Sequence, residues 1–484
     1  MFRLSIVLSG VLLALAVGCK KNHAPDVPSV PSGPASAALN APCTFSSRAD
    51  DADGDSVAVR FDWADGDTSD WSPYEASGEP VTASHSWSTS GTYGVRSQAR
   101  DAEGMLSSWS SGHAVRAARG WKRTLGGSGS DLAKSVQQTS DGGYIITGFT
   151  DCRGAGGLDI WLIKTDVNGD TEWTRTYGGP GDDLGYSVLQ ASDGAYLVAG
   201  VLGSDACIIR TEPDGDSAWV RTFGGTAWDG GRCLQQTRDG GYVIAGSTLS
   251  YGAGESDAWL VKTDVAGSVV WSKTFGGPQG DQGYSVRQTQ DGGYILTGST
   301  WAGTGLGYYV WLIKTDAAGT VVWDKLYGGV GLNRRGECVL QATDGGYVVV
   351  GCTEFAFIGA GDIWLIKTDA AGDTVWTRTF GGTGFEMGHS VQQTADGGYI
   401  VTGFNGSSGA GSYEIWLIKT DGSGNEVWDR LIGGTSDDDG ACVHQTTDGG
   451  YILTGCTDFM GSGYSDIWLI KTDAEGRLDE VGGD

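Results

Sequence analysis

The chain has 484 residues, and its 59 acidic against 32 basic side chains leave a formal net charge of −27. That balance excludes binding driven by neutralisation of nucleic-acid phosphates and flat docking on an anionic membrane. Glycine (83 residues) and tryptophan (19 residues) are both abundant, which suits many short strands joined by tight turns and not a disordered chain.

Residues 1–18 read as an export signal. Arg3 precedes an apolar run from Leu4 to Val17, and small residues lead to a cysteine in Leu15-Ala16-Val17-Gly18-Cys19. The run is short for a membrane span, and small residues mark a cleavage point. The segment resembles the bacterial lipobox, with Ala16 where leucine is commoner. The resemblance implies that Cys19 is lipidated and anchors the chain in a membrane, since several acyl chains on one residue hold stably. An ordinary signal with a chance cysteine is the alternative. Ser29 to Pro42 is rich in Pro, Ser and Ala, so residues 19–42 are expected to form a lipidated stalk with too little apolar surface to offset its ordering entropy.

Residues 43–117 form the first expected domain. Val57-Ala58-Val59-Arg60-Phe61 and Tyr93-Gly94-Val95-Arg96 alternate as half-buried strands do. The segments Phe61-Asp62-Trp63-Ala64-Asp65-Gly66, His85-Ser86-Trp87, Gly91-Thr92-Tyr93 and Asp101 to Gly104 resemble a PKD-type immunoglobulin-like domain, with Ala64 for the usual Gly and Trp87 for the usual Tyr. The resemblance implies a β-sandwich that serves as a spacer or adhesion module on a bacterial surface. Within it, Asp51-Ala52-Asp53-Gly54-Asp55 sets three carboxylates at alternate positions around a glycine. That arrangement suits a hard cation such as calcium, although the later acidic ligand of an EF-hand is missing. A polar hairpin turn is the plainer reading of the loop. No other cofactor is indicated.

From Trp121 the chain repeats itself. The phrase W-x-[RK]-x-x-G-G recurs at Trp121, Trp173, Trp219, Trp271, Trp323, Trp376 and Trp428, at spacings of 52, 46, 52, 52, 53 and 52. In the first copy Ser135 to Thr139, Tyr144 to Gly148, Ile160 to Thr165 and Thr171 to Tyr177 read as four strands, with Asp141-Gly142 and Asp166 to Gly169 as turns. Four antiparallel strands in about 50 residues is the period of a β-propeller blade, kelch-like in length. The Trp121 strand has no preceding partners, and the last copy, ending at Asp473, is followed by Gly476 to Gly483 without a tryptophan. The expected fold is therefore all-β: a PKD-type sandwich, then a seven-bladed propeller over residues 119–484. Its ring is closed by the strand at Trp121, which removes the exposed sheet edge. The repeat resembles a widespread group of propeller repeats in bacterial surface proteins. That resemblance implies a surface setting and leaves a connection with glycans open.

Cys338 and Cys352 flank Gly345 symmetrically, as Cys442 and Cys456 flank Gly449. Opposed residues of an antiparallel pair lie within disulfide reach, and an exported chain meets oxidising conditions. Cys338–Cys352 and Cys442–Cys456 disulfides are therefore expected, with buried thiols as the alternative. Cys233 pairs with Ser247 and should be free; Cys43, Cys152 and Cys207 have no assignment.

Basic residues recur in the third strands (Lys164, Arg210, Lys262, Lys314, Lys367, Lys419, Lys471) and fourth strands (Arg123, Arg175, Arg221, Lys273, Lys325, Arg378, Arg430). Acidic residues open the first strands, with Asn333 breaking the series. Residues repeated in every copy serve the fold; function sits where a copy departs from the pattern. The departures are Trp228, Trp301, Tyr308, Tyr309, Phe355, Phe357 and Phe459, candidate aromatics for stacking on sugars or anchoring a protein. No nucleophile elbow or metalloprotease motif appears. The expected protein is thus a non-catalytic envelope lipoprotein, a monomer at the outer membrane or cell surface that recognises a glycan or an envelope protein. A polysaccharide-active, endoglucanase-like glycoside hydrolase and a purely structural protein are the alternatives.

Overall fold

A computed structural model describes residues 21–39, 42–301, 307–329, 333–353, 361–407, 413–434, 436–457 and 465–479. All regular structure in these residues is β. None of them forms a helix long and apolar enough to cross a membrane. The signal segment and Cys19 lie outside the described residues. The chain divides into two compact units, the second beginning in the main at Ala117.

In the first unit, strands Ser36–Ala38, His113–Ala118, Gly91–Asp101 and Val57–Asp62 pair in that order, and Cys43–Ser47 pairs with Val81–His85. Phe45, Phe61, Trp63, Trp87 and Val95 fill the space between the sheets. The Phe61 and Trp63 rings stack at 5.4 Å, and Trp87 meets Trp63 edge-on at 6.4 Å. The expected stalk is corrected here. Pro25, Pro28 and Pro31 are buried at every third position, the period of a polyproline strand. The N–H groups of Asp26, Ser29 and Ser32 donate to the carbonyls of Asp50, Arg48 and Ser46. A proline-rich segment that still donates every third N–H can line a sheet edge, so this stretch belongs to the domain.

The second unit contains seven four-stranded antiparallel sheets, numbered here 1 to 7 in chain order. Sheet 1 comprises Asp131–Gln138, Tyr144–Thr150, Asp159–Thr165 and Thr171–Tyr177. No sheet closes on itself. Second and third strands are buried on both faces, as in Tyr144–Thr150 and Asp159–Thr165, which is why they read as near-continuous apolar runs; each fully buried Ile or Leu adds about 1.5–3 kcal/mol. The first strand of every sheet from 2 to 7 packs on the second strand of the sheet before it, and Asp131–Gln138 packs on Tyr451–Thr457 of sheet 7. Sheet 7 takes Trp121–Leu125 as its fourth strand, with Lys471 opposite Trp121 and Ile467 opposite Leu125.

Repeated residues join one sheet to the next. Each fourth-strand tryptophan lies on the turn glycine of the following sheet: Trp173 on Gly215, Trp428 on Gly476, and Trp121 on Gly169. Those glycines have φ between +71° and +85°, a region that favours glycine. The third-strand cations bind the Asp-Gly turn of their own sheet, as Lys164 does Asp141 at 2.9 Å and Lys314 does Asp291 at 2.8 Å. Arg123, Arg175 and Lys325 reach Asp170, Asp216 and Asp373 of the next sheet. The acidic residues that open the first strands accept the N–H of a Gly-Gly turn, as Asp183 does from Gly179 at 2.6 Å. The break in that series is Arg334, not Asn333: Arg334 N donates to Tyr308 O, as Asp183 N does to Leu158 O in sheet 2.

The disulfide expectation is overturned. Cys338 faces Val350 and Cys352 faces Arg335; Cys442 faces Thr454 and Cys456 faces Asp439. There is no disulfide among the described residues. The ladder beside the turn is centred on Asp344 and Asp448, not on Gly345 and Gly449, because Gln341 faces Tyr347 and Gln445 faces Tyr451. Cys338 and Cys442 therefore miss their expected partners by two positions. Cys338 and Cys442 instead take the place of a repeated serine. Their Sγ atoms contact Val391 O and Val136 O of the next sheet at 3.8 Å, where Ser135 Oγ accepts from Val188 N at 3.2 Å.

Candidate functional site

A β-bulge occurs in the first strand of all seven sheets. A bulge re-aims the extra side chain. The residues so displaced are Lys134, Tyr186, Arg232, Tyr284, Glu337, His389 and Ala441, and all seven line a cavity of about 440 Å³. A recess of about 220 Å³ shares these seven and adds Arg335 and Asp439. Each sheet thus contributes its bulge side chain, at a position that changes from copy to copy within an otherwise repeated strand. Three residues further along each strand, Arg287 and His444 line the deeper part. The volume is that of a small-ligand site.

Charge in the cavity is unevenly matched. Glu337 pairs with Arg335, and Asp439 with His389 at 3.2 Å. Burial alone would raise the Asp439 carboxyl, but the charge and hydrogen bond of His389 hold it below the usual range. His389 is raised in turn: burial opposes its charged form, and Asp439 outweighs that. His444 is pushed down to about 4 by burial and by the charge of Arg287. The Arg232 guanidinium sits between the rings of Tyr186 and Tyr284, at 5.1 and 5.2 Å, a cation–π arrangement. Arg287 Nη1 donates to Val286 O at 2.8 Å and Cys233 Sγ at 3.1 Å.

The aromatics singled out in the sequence lie elsewhere. Trp228 is half-buried over Gly230. Trp301 meets Tyr308 edge-on at 5.3 Å. Tyr308 lines a separate cavity of about 270 Å³ with Asn333, Arg334 and Tyr284, so Tyr284 borders both cavities. Tyr309 is half-buried opposite Thr300. Phe355, Phe357 and Phe459 lie outside the described residues. The bulge residues were missed, yet a signal was present: Lys, Tyr, Arg, Tyr, Glu, His and Ala precede the repeated Ser or Cys in turn.

In the first unit the oxygens of Asp51, Asp53 and Asp55 come within 4.8 Å of one another. Asp51 Oδ1 accepts from Asp53 N at 2.8 Å and Asp55 N at 3.3 Å. Gly54, at φ +79°, lets the loop turn. Asp53 Oδ2 accepts from His23 N at 2.7 Å. Asp51 is 7% exposed, and its Oδ2 is buried with no hydrogen-bond partner. A buried carboxylate oxygen left over beside two further carboxylates fits a hard cation.

The two-sheet sandwich with its Trp63–Trp87 core defines the first unit as an immunoglobulin-like domain. Its family follows from the sequence match: the PKD domain model covers residues 27–111, and this part of the chain belongs to the PKD domain family. The chain is also similar to the PKD domain of an M14-like peptidase from Thermoplasmatales archaeon SCGC AB-540-F20, at 33% identity, over 20% of this chain and 98% of that one, with a TM-score of 0.19. The chain is similar, too, to Drosophila Plexin A in complex with Semaphorin 1b (6% identity, 72% and 88% coverage, TM-score 0.42). It is similar also to the extracellular domain of a hybrid two component system from B. thetaiotaomicron (10% identity, 81% and 59% coverage, TM-score 0.28). At these scores the structural likenesses assign the repeats no function. No curated protein matches the chain.

Proposed function

We propose that this chain is an exported, non-catalytic lipoprotein of the bacterial envelope, anchored through Cys19. In this reading a PKD domain presents a seven-bladed β-propeller whose central cavity binds a glycan. The observation that carries it is the ring of bulge side chains: seven sheets each place a bulge residue on a single cavity, six residue types among the seven, while the residues around them repeat for the fold. Support for one closed ring comes from Trp121, which starts a strand of sheet 7 and packs on Gly169 of sheet 1, and from Thr447 N, which donates to Gln138 Oε1 across the same seam at 3.0 Å. Calcium at Asp51, Asp53 and Asp55 would stiffen the PKD domain; the orphaned Asp51 oxygen favours it.

A glycoside hydrolase is the second reading, because Glu337 and Asp439 line one cavity. Against it, a general acid needs a raised pKa, and Asp439 is lowered by its pairing with His389. The test is affinity electrophoresis of the ectodomain, residues 20–484, through gels cast with neutral and acidic polysaccharides, with reducing ends assayed in the same samples. Retardation without new reducing ends is expected. Release of reducing ends establishes the hydrolase instead. Migration unchanged in every gel removes the glycan reading and points to a protein partner or a structural role.

A further inference from the structure

The cavity holds more positive charge than it can neutralise from its own walls. Both of its carboxylates are committed, Glu337 to Arg335 and Asp439 to His389. Lys134, Arg232 and Arg287 face the same space, and no described carboxylate comes within 4.0 Å of any of the three to form an ion pair. Arg232 Nε is buried without a hydrogen-bond partner. Arg287 bonds only a carbonyl and a thiol, and its fork has five donors. Three half-buried cations without an ion-pair partner crowd one cavity, and of the three Lys134 feels the charge of a wall carboxylate, that of Asp439. All three lie in a chain with 59 acidic and 32 basic residues, where a carboxylate partner is the commonest charge available. A cleft lined by one sign of charge focuses its field and raises the local concentration of a counter-charge.

We propose that the central cavity is an anion subsite that takes the carboxylate of an acidic glycan. The inference rests on the glycan-binding reading above and names the class of glycan. Arg232, flanked by Tyr186 and Tyr284, lines the cavity with a guanidinium suited to two-pronged pairing with a carboxylate. Lys134 and Arg287 supply the remaining charge, at the recess and in the deeper part. The tyrosine rings bordering the site are suited to the apolar face of a sugar ring. A neutral sugar would fill the volume but leave the three cations unpaired.

The test is calorimetric titration of the ectodomain with tri-galacturonate and, separately, with its neutral methyl ester. The acid is expected to bind at least tenfold more tightly than the ester, with an affinity that falls as salt is raised. Arg232→Gln and Arg287→Met should each bring the acid to the level of the ester, whereas Arg287→Lys, which keeps the charge should the methionine variant not fold, should retain most of the preference. The imidazole of His444, beside Arg287, should titrate at higher pH once the acid is bound. If acid and ester bind equally, or if the preference survives in Arg232→Gln and Arg287→Met, the anion subsite is overturned while glycan binding stands. If neither ligand binds, the anion subsite is overturned, and the glycan reading then stands or falls on the polysaccharide gels.

Discussion

Trp121 lies on Gly169: an ideal Cβ built on that glycine would stand 2.4 Å from the indole. The two residues sit in different sheets, Trp121 pairing opposite Lys471 in sheet 7 and Gly169 turning between strands of sheet 1. The contact therefore joins the earliest strand of the repeat region to its first and last sheets. Trp121→Ala should cost about 3–5 kcal/mol, as large-to-small core changes do, and Gly169→Ala should destabilise through both the clash and the positive φ of +78°. Chemical denaturation of the two variants checks this. Equal loss from Trp173→Ala would show that the seam between sheets 7 and 1 is built like the others, and no loss from Trp121→Ala would show an open array.

The cysteines are expected to remain thiols. Because Cys338 faces Val350 and Cys442 faces Thr454, a reductant should leave the melting temperature unchanged. Unfolding in denaturant should expose Cys338, Cys352 and Cys442 to a thiol reagent without prior reduction. A drop in melting temperature on adding dithiothreitol would restore the disulfide assignment.

Calcium should stabilise the PKD domain through Asp51. At a hundred times its Kd a ligand adds about 2.7 kcal/mol, so an isolated domain spanning residues 21–117 should melt higher with calcium than with chelator. Asp51→Asn should abolish the difference. Identical melting in both conditions removes the cation from the account.

His444 sets a pH dependence. Its folded value of about 4 lies below the ordinary 6.5, so between these values the unfolded chain holds the proton more readily. The contribution of this residue to stability is complete above pH 6.5 and is lost as pH falls towards 4, with a slope of up to about 1.4 kcal/mol per pH unit. His444→Gln should flatten the stability curve in that window, and an NMR titration of the ring should find it neutral at pH 5.

Much of the fold was legible because the repeat carries its own register. The Trp-to-Gly-Gly spacing, the Asp-Gly turns and the orphan strand at Trp121 place the second, third and fourth strands of sheet 1 within two residues of their observed bounds, while its first strand begins four residues earlier than expected, at Asp131. The disulfides failed for a physical reason: the symmetric spacing is about Gly345, whereas the hairpin ladder is centred one residue earlier, on Asp344, so Gln341 faces Tyr347 and Cys338 faces Val350. The stalk failed because its prolines were read by composition when their period of three was the informative feature. The site was legible in principle. Lys134, Tyr186, Arg232, Tyr284, Glu337, His389 and Ala441 vary at one repeat position, but which way a side chain points there depends on the bulge, which the sequence pattern does not announce.

The central claim is that ligand enters the cavity ringed by the bulge residues, and Ala441 offers the direct measurement. It is the smallest member of that ring, so Ala441→Trp should plug the recess while leaving the aromatics at Trp228, Trp301 and Tyr308 untouched. With its melting temperature first shown to match that of the parent ectodomain, the variant is run in the polysaccharide gels that retard the parent. Loss of retardation is the predicted result. Undiminished retardation would place the binding surface elsewhere and contradict the account.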